Sequence, residues 1–166
     1  MTAKNEERKD DHLDICLREN VQAKQVTTGF EEILMIHKAL PELNLNEIRT
    51  TCKVFDHKFS APLIVESMTG GTHNGGKVNA AIAQAVEELG LGMGLGSQRT
   101  ALEKPSTQTT FTVARRHAPT AFIMANIGAV QLATGYGPRE AKKAVEMLEA
   151  DALLIHLNPL QEAVQP

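Results

Sequence analysis

From residue 62 onward the apolar and polar positions alternate between two rhythms. Short apolar runs of strand type occupy 62–68 (PLIVESM), 90–97 (GLGMGLGS), 121–127 (AFIMANI) and 152–157 (ALLIHL), and stretches of helical period separate them. Residues 77–89 set Val78, Ala81, Ile82, Ala85, Val86 and Leu89 on one stripe, with Gly90 as the stop signal. A second helix is expected around 106–117, behind Pro105. A third covers 138–149: Pro138 suits its first turn, Ala141, Ala144, Val145 and Leu148 make the stripe, and Lys142 and Glu146 form an i, i+4 pair.

The interval between these units says how they connect. Polar residues at the ends of the four strands, Ser67, Ser97, Asn126 and Asn158, lie 30, 29 and 32 residues apart, the length of one βαβ unit. Parallel strands joined by crossover helices follow. A doubly wound sheet would gather its polar residues at one switch point, whereas here they follow every strand, which favours a (β/α)8 barrel. The expected fold class is therefore α/β, with about four of the eight units of a TIM barrel present. Such a barrel takes about 250 residues, and the chain has 166.

Upstream, the pattern is weaker. Residues 5–25 are charged with both signs and carry few large apolar side chains, as in a helix lying on a surface. Residues 28–40 read as a second helix, with Phe30, Ile33, Leu34 and His37 on one side and Pro41 as the stop. Residues 52–59 read as a hairpin centred on Asp56, His57 and Lys58. Two regions result: 1–60, a helical extension with a hairpin covering the barrel, and 61–166, the first half of the barrel itself.

Composition removes several classes of function. With 17 basic and 20 acidic residues the net charge is −3, which gives no electrostatic case for binding nucleic acid. No apolar run approaches a membrane span, and the charged amino-terminus is unlike a signal peptide, so a cytoplasmic protein is expected. Cys16 and Cys52 form no CxxC and read as reduced thiols.

Candidate chemistry lies after the strands. Residues 71–77 (GTHNGGK) satisfy G-x-x-x-x-G-K, but Val78 stands where a magnesium-ligating hydroxyl is needed, so a plain helix entry is the better reading. Gly90, Gly92, Gly94 and Gly96 leave one strand face bare, open to a flat ligand or to close packing. Ser97 and Arg99, flanking Gln98, can bind phosphate oxygens, the arginine through a bidentate fork. Asn126 suits the polar edge of a heteroaromatic ring. His156 and Asn158 share a face of the last strand, and Gln161 and Glu162 follow. A lone Glu beside a Gln is a poor zinc site but a plausible magnesium ligand when phosphate oxygens complete the shell. Arg8, Lys9 and His12 would close on an anionic substrate if their segment folds over the barrel mouth.

Six motifs in order, RKDDH (8–12), TGFEE (28–32), SMTGG (67–71), GSQR (96–99), NIG (126–128) and HLNPLQE (156–162), together resemble type II isopentenyl diphosphate isomerase. The resemblance implies an FMN-dependent (β/α)8 flavoprotein of isoprene biosynthesis that interconverts isopentenyl and dimethylallyl diphosphate, using reduced flavin, Mg2+ and NADPH as reductant. Carried over by motif, Ser67, Met68, Thr69, Gly70, Ser97 and Asn126 would contact FMN. Arg8, Lys9, Ser97, Gln98, Arg99, Asn158 and Gln161 would meet the small-molecule diphosphate. His156 and Gln161 would serve the chemistry, and Glu162 would bind the metal. The complete protein would be a homo-oligomer, with no nucleic-acid or membrane partner.

Two residues depart from the family pattern, Glu66 before SMTGG and Thr100 after GSQR, and a charge inside an apolar strand needs a partner. The chain is expected to be the family's amino-terminal half and inactive alone. The rival readings are another FMN-dependent TIM-barrel oxidoreductase and a non-catalytic half-barrel that assembles with itself or a partner.

Overall fold

The computed structural model describes residues 2–164, without side chains for 2–8 and Gln161. Helix α1 (Thr2–Arg18) opens the chain and is followed by a hairpin of β1 (Cys52–Val54) and β2 (His57–Phe59). Then come β3 (Ile64–Val65), α2 (His73–Leu89), β4 (Gly92–Gly94), α3 (Arg99–Glu103) and α4 (Thr109–His117). β5 (Phe122–Gly128), α5 (Ala129–Ala133), α6 (Pro138–Leu148), β6 (Ala152–His156) and α7 (Pro159–Val164) complete it.

The sheet is four-stranded, in the order β3-β4-β5-β6, and every neighbouring pair is parallel. Sequential order with parallel pairing is what a string of β/α units produces, so the α/β reading and the partial TIM-barrel unit hold. The sheet does not close: β3 and β6 each pair on one side only, and Leu63, Ile64, Ile155 and Leu157 stay exposed along those edges. Along β5 the side chains alternate as the pleat requires. Ile123, Ala125 and Ile127 join Ala83, Val86, Phe111, Ala114, Ala144 and Leu148 in the core between sheet and helices. Asn126 projects to the other face, where it meets His156.

Three expectations need correction. Residues 28–40 are not helical: they hold one 3-10 turn, Phe30–Glu32, and Leu34 and Ile36 are 89% and 95% exposed. A short amphipathic stretch becomes a helix when its apolar face is buried, and among the described residues nothing covers this one. The hairpin turns at Phe55 and Asp56 rather than over 56–58, with Phe55 at φ 50°. Finally, the buried face of α2 is Gly75, Gly76, Asn79, Ala83 and Val86, while Ala81, Ala85 and Leu89 are exposed. The glycines decide this rotation. A Cβ on Gly76 would lie 3.3 Å from the Thr110 Cα, so the bare side lets α4 approach, and the buried Asn79 amide donates to the Thr110 carbonyl at 2.9 Å.

The hairpin closes the amino-terminal end of the sheet. His57 and Phe59 pack on Phe122, with ring centroids 5.2 and 5.5 Å apart, and His57 Nε2 lies 3.0 Å from Asp151 Oδ1. The other oxygen of Asp151 accepts from Arg115 at 2.9 Å and from the Ile123 N–H at 2.8 Å.

Glu87 joins α2 to the turn before β5, its carboxylate accepting the Thr120 and Ala121 N–H groups at 3.1 and 2.8 Å and the Thr120 hydroxyl. Partial burial pushes its pKa up, but these hydrogen bonds and the Arg115 charge outweigh it and hold the carboxyl below the usual 4.5. A depressed folded pKa gives stability that is complete above the unfolded value and is lost as pH falls through the folded one. Glu87→Gln is therefore expected to cost about 1 kcal/mol near neutral pH. In urea melts of both proteins, that gap should narrow as pH falls below the usual 4.5 and close as it passes through the depressed folded value.

Candidate active site

All four strands end on one side, and the segments following them surround a cavity of about 480 Å3, within the size range of small-molecule sites. Its wall takes Ser67 and Met68 after β3, Gly96 and Ser97 after β4, Asn126 on β5, and His156, Asn158 and Glu162 at and after β6. α1 lies against the rim and contributes Lys9, His12 and Cys16. Lys9 Nζ donates to the Ser97 carbonyl at 3.4 Å and sits 5.1 Å from the centre of the Phe111 ring. The charged amino-terminal helix therefore does face the strand ends, through a lysine whose ammonium lies over an aromatic ring.

The hydrogen bonds give these residues distinct duties. Asn126 Oδ1 is 2.8 Å from His156 Nδ1. An amide oxygen only accepts, so Nδ1 carries the proton and Nε2 is the ring atom able to take one up. Nε2 stands 3.9 Å from Glu162 Oε1. The other oxygen of Glu162 accepts from Arg99 and from Gln131 Nε2, each at 2.9 Å.

Several expected site residues take different places. Gln98 does not line the cavity: it is fully buried, donating to the Gly96 carbonyl at 2.7 Å and accepting from the Asn126 N–H. It ties the end of β4 to β5, and both ends of its amide are used. Arg99 points to Glu162, across from the last strand. Thr69 hydrogen-bonds Asn79 through its hydroxyl and accepts the Gly96 N–H through its carbonyl at 2.9 Å. Gly70 adopts φ 137° and packs directly on Phe111. The side chains of Arg8 and Gln161 lie outside the described residues. Glu66 is exposed just beyond the short β3 and accepts the Ser67 N–H at 2.8 Å, so the charge needs no buried partner.

The bare glycine face is filled by protein rather than left for a ligand. A Cβ would meet Phe59 at Gly92, Ser67 Oγ at Gly94, and the Thr69 and Met68 carbonyl oxygens, 2.5 and 2.6 Å away, at Gly96. The glycines of 71–77 likewise serve the fold: the Gly71 N–H donates to Thr110 and the Gly75 N–H to the helix-capping Thr72.

Gln131 is a residue that reading the motifs passed over. It is the sole polar side chain in IGAVQLA (127–133), and that isolation was the available signal. It lies buried on α5 with its amide at Glu162.

Two groups implied by the sequence resemblance can be tested against this geometry. For a flat heteroaromatic cofactor such as FMN, the cavity has the size. Ser67 Oγ is buried at its wall with no partner among the described residues. A buried hydroxyl without a partner is a place where a ligand atom is welcome. For a metal, no group of three or more His, Cys, Asp or Glu exists among the described residues. That excludes an all-protein cage built from them, and fits a cation held by one carboxylate and substrate phosphate oxygens. No helix among the described residues is long and apolar enough to cross a membrane.

No family model matches the chain. Among curated proteins it is 54% identical over 159 residues to the isopentenyl-diphosphate delta-isomerase of Ignicoccus hospitalis, covering 96% of this chain and 44% of that protein. It is 46% identical over 159 residues to the protein of the same name from Methanococcoides burtonii, covering 96% of this chain and 44% of that protein. Over 165 residues it is 45% identical to the one from a Nostoc species, covering 99% of this chain and 47% of that protein. The chain is thus a homologue, along nearly its whole length, of proteins named isopentenyl-diphosphate delta-isomerase, and it spans less than half the length of each.

Proposed function

We propose that the chain supplies the amino-terminal half of a type II isopentenyl diphosphate isomerase, an FMN- and Mg2+-dependent (β/α)8 enzyme that takes reducing equivalents from NADPH and interconverts isopentenyl and dimethylallyl diphosphate. The observation that carries the reading is the convergence of strand-end motifs on one cavity. Ser67, Ser97, Asn126 and His156 come from four successive parallel strand ends, and Lys9 closes the rim. The names of the homologues supply the reaction, and the share of their length that is matched agrees with half of a barrel.

Isomerisation moves a double bond by adding one proton and removing another, with no net redox change. Reduced flavin, when bound, supplies the group that exchanges these protons with the substrate. The chain's own part is to bind and orient. Lys9 and Arg99 are the cations on hand for the diphosphate, Ser97 and Asn158 are hydrogen-bonding groups at the same wall, and Glu162 gives the metal its one carboxylate. Asn126 fixes the tautomer of His156, so that Nε2 is the atom able to accept a hydrogen bond or a proton at the cavity. Positioning and charge neutralisation of this kind account for much of the acceleration in sites where the cofactor carries the chemistry.

The test is an assay of the chain joined to the portion of a relative that it does not cover, with reduced FMN, Mg2+ and isopentenyl diphosphate. Dimethylallyl diphosphate without net flavin oxidation is expected. Net redox turnover of a different substrate would point to another FMN oxidoreductase instead.

A further inference from the structure

The sequence motifs end at Glu162 and do not say what aims it. Its carboxylate is asymmetric: Oε2 takes both Arg99 and Gln131, at 2.9 Å each, while Oε1 is turned to His156 Nε2 at 3.9 Å. Gln131 is 7% exposed, and its own Oε1 is buried with no partner among the described residues. An amide in that position has one favourable orientation, because a flip would set its carbonyl oxygen against the carboxylate. Space for it is made by Gly128, where a Cβ would lie 1.9 Å from Gln131 Oε1 and 2.8 Å from His156 Nε2. The amide is therefore held by the end of β5 on one side and holds α7 on the other.

We propose that Gln131 is the positioning residue for Glu162: it pins Oε2 and leaves Oε1 as the single atom presented to a divalent cation bridged to a diphosphate. This rests on the reading of Glu162 as the metal ligand. Arg99 alone does not fix the carboxylate, since a guanidinium can follow a carboxylate as it swings and is itself the cation next to the anion site. Gln131, buried on a short helix that directly continues β5, cannot follow. Partners that orient a ligating carboxylate in this way typically change metal affinity by about 10- to 100-fold when removed.

The experiment uses the 166-residue chain joined to the portion of a relative that it does not cover, with inorganic pyrophosphate and the Mn2+–pyrophosphate complex as probes, followed by calorimetry and water-proton relaxation. Wild type should bind the Mn2+ complex more tightly than pyrophosphate alone. Gln131→Met, which keeps the length and loses the donor, should reduce that metal-dependent gain by about tenfold and leave metal-free pyrophosphate affinity within about twofold. Gln131→Leu carries the test if Gln131→Met does not fold by circular dichroism. Glu162→Gln should abolish the gain, and adding Gln131→Met to it should change nothing further.

Equal weakening of both probes by Gln131→Met would reveal a purely structural role and overturn the proposal, as would an undiminished gain. A Glu162→Gln chain that retains the gain, or a wild type without one, would instead show that Glu162 is not the metal ligand, and the proposal falls with that reading.

Discussion

Replacing Gly96 by alanine is expected to destabilise the chain by about 3 kcal/mol, a fall of roughly 6–12 °C in Tm. The added Cβ would stand 2.5 Å from the Thr69 carbonyl oxygen and 2.6 Å from that of Met68. Both are backbone atoms, so no side chain can rotate away, and the Gly96 N–H to Thr69 bond of 2.9 Å must stretch as the segments part. The damage reaches the cavity, since Met68, Gly96 and Ser97 all line it. Gly137→Ala is the control: its nearest neighbour would be a side-chain oxygen at 3.9 Å, and only the loss of a helix N-cap preference, at most about 1 kcal/mol, is expected. Thermal melts of the three proteins by circular dichroism check this, and equal Tm values would contradict the packing account.

The second large effect falls on function. In the chain joined to the portion of a relative that it does not cover, Glu162→Gln is expected to lower Mg2+-supported turnover at least about a hundredfold, or about 2.7 kcal/mol of transition-state stabilisation. The substitution keeps the shape and removes the charge, so the carboxylate proposed as the metal ligand is lost and Arg99 loses its ion-pair partner at 2.9 Å. The rate should be measured across a range of Mg2+ concentrations. A turnover that is unchanged at saturating Mg2+ and low concentrations alike would place the metal elsewhere.

The rhythm of β/α units was legible because it depends on period and spacing, which survive in any linear reading. Three of the four strands fall inside their expected segments and β5 runs one residue past its own, to Gly128, while β3 shrinks to Ile64 and Val65. The helical reading of residues 28–40 failed because the amphipathic pattern states what a segment would bury, and not whether a surface exists to bury it. The α2 stripe was misjudged for a related reason: Gly75, Gly76 and Asn79 face the core because close approach of α4 is worth more there than apolar bulk.

At the site, the residues after each strand were legible as polar interruptions of apolar runs. Their partnerships were not, since these join positions about 30 to 60 apart in the chain. Gln98, read as a ligand contact, is spent on the Gly96 carbonyl and the Asn126 N–H. Gln131 belongs to no strand end, and only the folded position of Glu162 gives it a purpose.

The central claim is that this chain carries one half of the isomerase site and needs the other half to act. The direct measurement is conversion of isopentenyl diphosphate to dimethylallyl diphosphate, with reduced FMN and Mg2+, by the purified chain alone and by the chain joined to the portion of a relative it does not cover. The prediction is no turnover and no stoichiometric FMN from the chain alone, and both from the completed barrel. Turnover by the 166 residues alone, with FMN bound one to one, would contradict the account.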